Sequence, residues 1–137
     1  MNILSRLLLA AALTQLAPAF AQAPKKVIAS AALQKEFDDF IAKFRAALKA
    51  NDSAAVAGMT RLPYEADNSI RDAEQFRTKI YLRDFTAKNR ACIQRGKAVY
   101  DRDGENNDNY FIFCGQLNFV FTKTPAGFLL AEIGVND

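Results

Sequence analysis

Four side chains in this sequence, Arg77, Tyr81, Asp84 and Glu132, have the types that acid–base chemistry on a small molecule requires. A carboxylate such as Glu132 or Asp84 would take a proton, and Arg77 or a tyrosine such as Tyr81 would stabilise the resulting oxyanion. No histidine occurs in the chain. Ser-His and Cys-His pairs and histidine-ligated zinc are therefore excluded, and a general base would have to be a carboxylate, lysine or tyrosine. The two cysteines, Cys92 and Cys114, make a poor metal site without histidine. No phosphate-binding glycine loop, nucleophile elbow or metal-ligand spacing is present. On these grounds no residue is assigned as catalytic, and neither metal nor cofactor is expected.

The remaining composition narrows the class further. Half of the 137 residues are apolar, which fits one ordinary globular domain with its own core. The 18 basic and 15 acidic residues are interspersed, so the net charge of +3 gives little support to nucleic-acid binding.

Met1 to Ala21 reads as a secretory leader. It has Arg6, an apolar run from Leu7 to Leu13 and the small-x-small triplet Ala19-Phe20-Ala21, with cleavage expected between Ala21 and Gln22. The apolar run is well short of the roughly 20 residues that span a bilayer, so no stable membrane insertion is expected. Export places the mature chain in the periplasm or outside the cell. An even cysteine count in an oxidising compartment then makes a Cys92–Cys114 disulfide the default, with two unpaired buried thiols as the alternative.

Residues 22–29 read as a flexible lead-in, and residues 30–137 as one α+β domain. Ser30 is placed to cap a helix whose Leu33, Phe37, Phe40, Ile41, Phe44, Ala47 and Leu48 fall on one face, with Asp39 and Lys43 spaced for an ion pair opposite. Asn51-Asp52-Ser53 offers a second cap before a short helix over 54–59. Leu62-Pro63-Tyr64 reads as extended, and residues 65–71 as a polar loop in which Asp67 is either a functional acid or, as the safer reading, a solvated carboxylate. Asp72 with Gln75 opens a third helix to about Phe85. The helical wheel puts Arg77 and Asp84 inside its apolar arc, where they would either line a cavity or reach the rim by a roll of the helix. Residues 86–91 read as a connector or last helical turn.

Strand signals follow at 98–100, then a polar hairpin loop over 101–108. Tyr110 to Phe121 reads as one long strand with a bulge or sharp bend at Gly115, and Phe128 to Val135 closes the sheet. That last run is apolar on both faces, so it is expected inside the sheet. Glu132 there is either a buried carboxylate or a rim group paired with a lysine or arginine.

This order, together with the look of Phe37 to Leu48, Leu62-Pro63 and Phe119 to Ile133, resembles the nuclear transport factor two-like superfamily, shared with SnoaL-like and ketosteroid isomerase-like proteins. The resemblance implies an α+β fold in which N-terminal helices pack on a curved antiparallel sheet, a cystatin-like cone. It also implies function in the cavity between helices and sheet or on the sheet's outer face. The family's histidine-dependent enzymes find no counterpart here. The leading expectation is an exported non-enzymatic binding domain whose partner is a protein or a small apolar ligand, with homodimerisation through the sheet face as a further option. The alternative is an isomerase- or dehydratase-type enzyme acting on a small apolar substrate through Arg77, Tyr81, Asp84 and Glu132. A cavity closed by Phe37, Phe44, Phe76 and Phe119 would favour a protein partner over a small ligand.

Overall fold

The computed structural model describes residues 17–19 and 26–136. The expected cleavage site at Ala21 and Gln22, and all of the expected leader apart from residues 17–19, lie outside the described residues.

Helix α1 spans Ala31–Lys49, and the Ser30 hydroxyl accepts the Leu33 N–H at 3.2 Å, satisfying one of the orphan donors of the first turn. Its buried face is Phe37, Ile41, Phe44, Ala47 and Leu48. On the solvent side Asp39 pairs with Lys35 at 2.7 Å, one turn earlier, rather than with Lys43. Glu36 instead reaches across to Lys123 of the sheet. Helix α2, Ser53–Gly58, is capped by Asp52, whose carboxylate accepts the Ala55 N–H at 3.0 Å.

The chain then touches the sheet. Thr60 forms an isolated parallel bridge with Leu130, in which Arg61 N–H donates to the Leu130 carbonyl and Leu130 N–H to the Met59 carbonyl, both at 2.8 Å. The Leu62–Pro63 peptide bond that follows is cis.

Asp72 accepts the Gln75 N–H at 2.8 Å, and the Gln75 side chain accepts the Arg71 N–H at 2.7 Å, so the expected capping signature is realised one residue upstream of its usual closure. From there α3 (Ala73–Gln75), a π-helical turn (Phe76–Tyr81) and α4 (Leu82–Asp84) follow one another without a break. A π turn holds more than the 3.6 residues of an α-helical turn. The rod is thereby rolled from the uniform wheel: Phe76, Ile80, Tyr81 and Phe85 are buried, whereas Ala73 and Arg77 face solvent.

Where a connector or last helical turn was expected there is a separate nine-residue helix, α5 (Ala87–Arg95), capped by Thr86, whose hydroxyl accepts the Asn89 N–H at 3.2 Å. Ile93 is its one buried residue, and polar side chains fill most of the rest, so its periodicity is faint. Arg45 of α1 ties down its end by donating to the carbonyls of Ile93 at 3.0 Å and Gly96 at 2.6 Å, and Gln94 donates back to the Arg45 carbonyl at 2.6 Å. Gly96 itself has an ordinary φ of −65°, so what it supplies is space. A Cβ there would lie 2.6 Å from Ile112 Cγ2 and 3.0 Å from the Cys92 carbonyl oxygen. Gly96→Ala is expected to lower stability by about 1–3 kcal/mol through this overpacking. An unchanged urea midpoint would show that the contact between α5 and Ile112 yields without penalty.

The sheet is an antiparallel meander in the order β1 (Val99–Arg102), β2 (Asp108–Cys114), β3 (Leu117–Thr124), β4 (Gly127–Val135). The single long strand expected over 110–121 is in fact two, with the chain reversing at Gly115-Gln116. Gly115 has a φ of +63°, the left-handed geometry that a glycine-first two-residue hairpin needs. The last strand is an edge, not an interior strand. Val120 pairs with Glu132 and Phe121 with Leu130, leaving Ala131 as a bulge that inverts the alternation. Leu130 before the bulge and Ile133 after it therefore both pack on the core. The Thr60 bridge covers part of that edge.

Helices and curved sheet thus form an α+β fold closed by aromatic rings. Phe37 stacks on Tyr110 with ring centroids 3.7 Å apart and meets Phe128 edge-on at 5.3 Å, and Phe44 meets Phe121 edge-on at 5.0 Å. The expected disulfide is present. It joins Cys92 of α5 to Cys114 at the end of β2, with the two Cα atoms 5.9 Å apart.

Candidate functional site

Alternation along β2 sends Tyr110, Ile112 and Cys114 into the core and Asn109, Phe111 and Phe113 to the opposite face. Their partners on β3 give that outer face Asn118, Val120 and Thr122, and the bulge in β4 adds Glu132 and Gly134. Over these residues lies a groove of about 550 Å³.

One wall of the groove is the β1–β2 hairpin loop. Asp103 holds this loop together by accepting from the backbone N–H groups of Glu105 and Asn107, both at 2.9 Å, and from the side-chain amides of Asn107 at 3.0 Å and Asn109 at 3.1 Å. Hydrogen bonds to the charged form favour it, so these donors, led by the Asn107 amide, hold the Asp103 carboxyl down to about 2. Asn109 is itself buried and accepts the Thr122 hydroxyl at 2.6 Å, which extends the network across to β3. The other wall is Arg61, placed by its backbone bond to Leu130 and paired with Glu65. Glu132 and Glu105 complete the rim, and among the described residues neither has an ion-pair partner.

Beyond Phe111 and Asn118 the same face turns apolar. Phe111 and Phe113 lie parallel with centroids 6.3 Å apart, and Phe113 and Val99 remain 53% and 44% exposed despite their size. A second depression of about 560 Å³ runs over these residues to Val27 and Tyr100. Asn118 lines both depressions, and its Oδ1 is buried without a hydrogen-bond partner.

The four side chains singled out in the sequence are dispersed. Arg77 is exposed and donates to the Ser53 hydroxyl at 3.1 Å. Tyr81 is buried, and its hydroxyl donates to the Asn51 side chain at 2.7 Å. Asp84 is only 6% exposed, but Arg83 grips both its oxygens at 2.8 Å. Glu132 is exposed on the outer sheet face. Arg77, Tyr81 and Glu132 line three different depressions.

Sequence reasoning passed over Tyr64. It is 2% exposed, and its hydroxyl accepts the Ile133 N–H at 2.7 Å, beside the β4 bulge. Burial, reinforced by the charges of Asp84 and Glu132, pushes this phenol up to about 12. The available signal was its place directly after Leu62-Pro63, an aromatic side chain next to a residue whose ring fixes the backbone. Tyr110 is pushed up to about 12 in the same way, by burial first. In the unfolded chain both phenols ionise near their ordinary value of about 10. The unfolded state therefore loses protons first, and stability that is intact below about pH 10 is lost as pH rises towards 12. Urea midpoints measured from pH 9 to 11.5 should fall steeply, and less steeply in Tyr64→Phe. A flat profile would contradict the burial of both phenols.

A scan against models of protein families finds no match to this chain, and comparisons with curated proteins and with solved structures find none either. Among the described residues no helix is long and apolar enough to cross a membrane, and no group of three or more acidic or cysteine side chains is placed to hold a metal.

Proposed function

We propose that this chain is an exported, non-enzymatic interaction domain of the nuclear transport factor two-like type that engages a protein through the outer face of its sheet. The observation that carries the reading is the filled interior: Phe37, Phe44, Phe76 and Phe119 are each 1% exposed or less. A small apolar ligand would have to displace stacked rings, whereas the opposite face offers a surface on which Phe113 and Val99 are exposed beside the half-buried Phe111. The disulfide supports an oxidising compartment. The acid–base alternative would need Glu132 or Asp84 beside Arg77 or Tyr81 in one cavity; Arg77, Tyr81 and Asp84 are each held by a different partner and Glu132 lies on the outer sheet face, which argues against it.

Capture from an envelope extract tests the proposal. The immobilised disulfide-bonded chain should retain a partner at near-stoichiometric amounts, and Phe113→Ser should release it, because Phe113 is exposed and contributes to no core contact. Absence of any stoichiometric partner, or one retained equally by the variant, would overturn the reading.

A further inference from the structure

We infer that the outer face takes an extended basic segment of a protein partner, with a lysine or arginine in the carboxylate-rimmed groove and an apolar side chain of the same face, two residues along, against Phe111 and Phe113. This rests on the interaction reading above and adds the chemistry of the partner.

Charge complementarity carries the first half. The groove is lined by four carboxylates, Glu65, Asp103, Glu105 and Glu132, against one guanidinium, Arg61, in a chain whose overall charge is +3. Glu65 already holds Arg61, and Asp103 is committed to its own loop. Glu105 and Glu132 are left to face solvent from opposite sides of the groove. Carboxylates without partners on a concave surface focus a negative potential, which attracts cations and repels acidic partners.

The second half comes from what adjoins the groove. The parallel Phe111 and Phe113 rings belong to alternate positions of β2, and Asn109 continues that row into the polar half. An extended chain presents side chains on one face at the same two-residue repeat of roughly 7 Å, so a strand-like segment laid along β2 keeps in step with this row. Asn118 sits where the two halves meet, and its partnerless Oδ1 is an acceptor that a small turn of the side chain would offer to a donor of that segment. A second copy of this chain is the less suitable occupant. A twofold axis through the groove would set Glu105 and Glu132 of one copy against those of the other, and like charges opposed in an interface are unfavourable.

Three eight-residue synthetic peptides test the inference on the purified disulfide-bonded chain, each with serine at the even positions so that the odd positions share one face of an extended segment: lysine and leucine alternating at the odd positions (lysine–leucine), glutamate and leucine there (glutamate–leucine), and lysine and serine there (lysine–serine). The lysine–leucine peptide should bind, and binding should weaken at least tenfold when either leucine is replaced by serine or lysine by glutamate. Raising salt from 50 to 300 mM should weaken it several-fold. Glu105→Lys combined with Glu132→Lys, and separately Phe113→Ser, should each reduce affinity tenfold or more while leaving the melting temperature unchanged, since all three side chains are exposed. Equal binding of the glutamate–leucine peptide, no binding of the lysine–leucine peptide, or indifference to the charge reversal would overturn the inference. So would a stable dimer of the unmodified chain that Phe113→Ser converts to monomer. A partner captured from extract that is lost on Phe113→Ser but retained on charge reversal would keep the interaction reading and remove the basic segment.

Discussion

Phe37→Ala should lower the free energy of unfolding by about 3–5 kcal/mol, a large fraction of the 5–15 kcal/mol that holds a typical domain together. The ring is 1% exposed, lies flat on Tyr110 with an interplanar angle of 3°, and has Phe40, Phe121 and Phe128 within about 6.5 Å. Alanine removes both the transfer free energy of the ring and its contacts. The resulting void is bounded by a helix on one side and three strands on the other, so collapse is restricted. The stacked tyrosine also reports locally: its hydroxyl donates to Gln34 at 2.8 Å, one helical turn before Phe37. Phe37→Leu should lose less than half as much, because it keeps most of the volume. Urea unfolding of the three proteins at neutral pH measures this, and a loss below about 1 kcal/mol for the alanine variant would show that α1 is not the lid of the core.

Removing the disulfide is the second large effect. Cys92 and Cys114 are separated by 22 positions, and the chain-entropy model assigns a loop of that size about 3 kcal/mol. The bridge joins α5 to β2, whereas Arg45 ties the end of α5 to α1, so without the bridge α5 keeps its hold on the helical layer but loses its covalent link to the sheet and should loosen before the rest of the fold. Cys92→Ala with Cys114→Ala, or reductant on the native chain, should lower stability by about 2–4 kcal/mol, and reductant should then have no effect on the double variant. Mass spectrometry with and without reductant gives the thiol count directly. An identical count in both conditions would exclude the bridge, and an unchanged urea midpoint would mean that the reduced chain is as well ordered as the oxidised one.

Much of the helical layer was legible because its signals are local. Ser30, Asp52 and Asp72 cap helices in the structure, and the buried stripe of α1 matches the periodic residues of the sequence, since an isolated amphipathic helix already encodes which side will be covered. The misses have separate causes. Helix α5 buries only Ile93, so its sequence carries little hydrophobic rhythm, and its place is fixed by Arg45, Gln94 and the disulfide, all of which join residues distant in sequence. Cys114-Gly115-Gln116-Leu117 contains none of the asparagine, aspartate or proline that usually marks a hairpin, so the flanking apolar runs read as one strand. Arg77 and Asp84 share a face on a uniform helix but not on one with a π turn, which a periodicity argument assumes away.

The outer face was the least visible feature. Its residues come from the Thr60–Glu65 segment, the β1–β2 loop and three strands, and each alone looks like an ordinary solvated position. Glu132 was noticed in isolation, but its meaning depended on the Ala131 bulge, which turns it to the same face as Val120, opposite the helices. Sequence alone determined the α+β class, the absence of histidine chemistry and the core stripe of α1, because composition and local periodicity decide those, and it made the Cys92–Cys114 bridge an expectation that the structure then met. Tertiary structure decided that the interior is filled by rings and that carboxylates meet Phe111 and the exposed Phe113 on the opposite face. Register, bulges and turns set which residues become neighbours, and those depend on contacts between segments far apart in the chain.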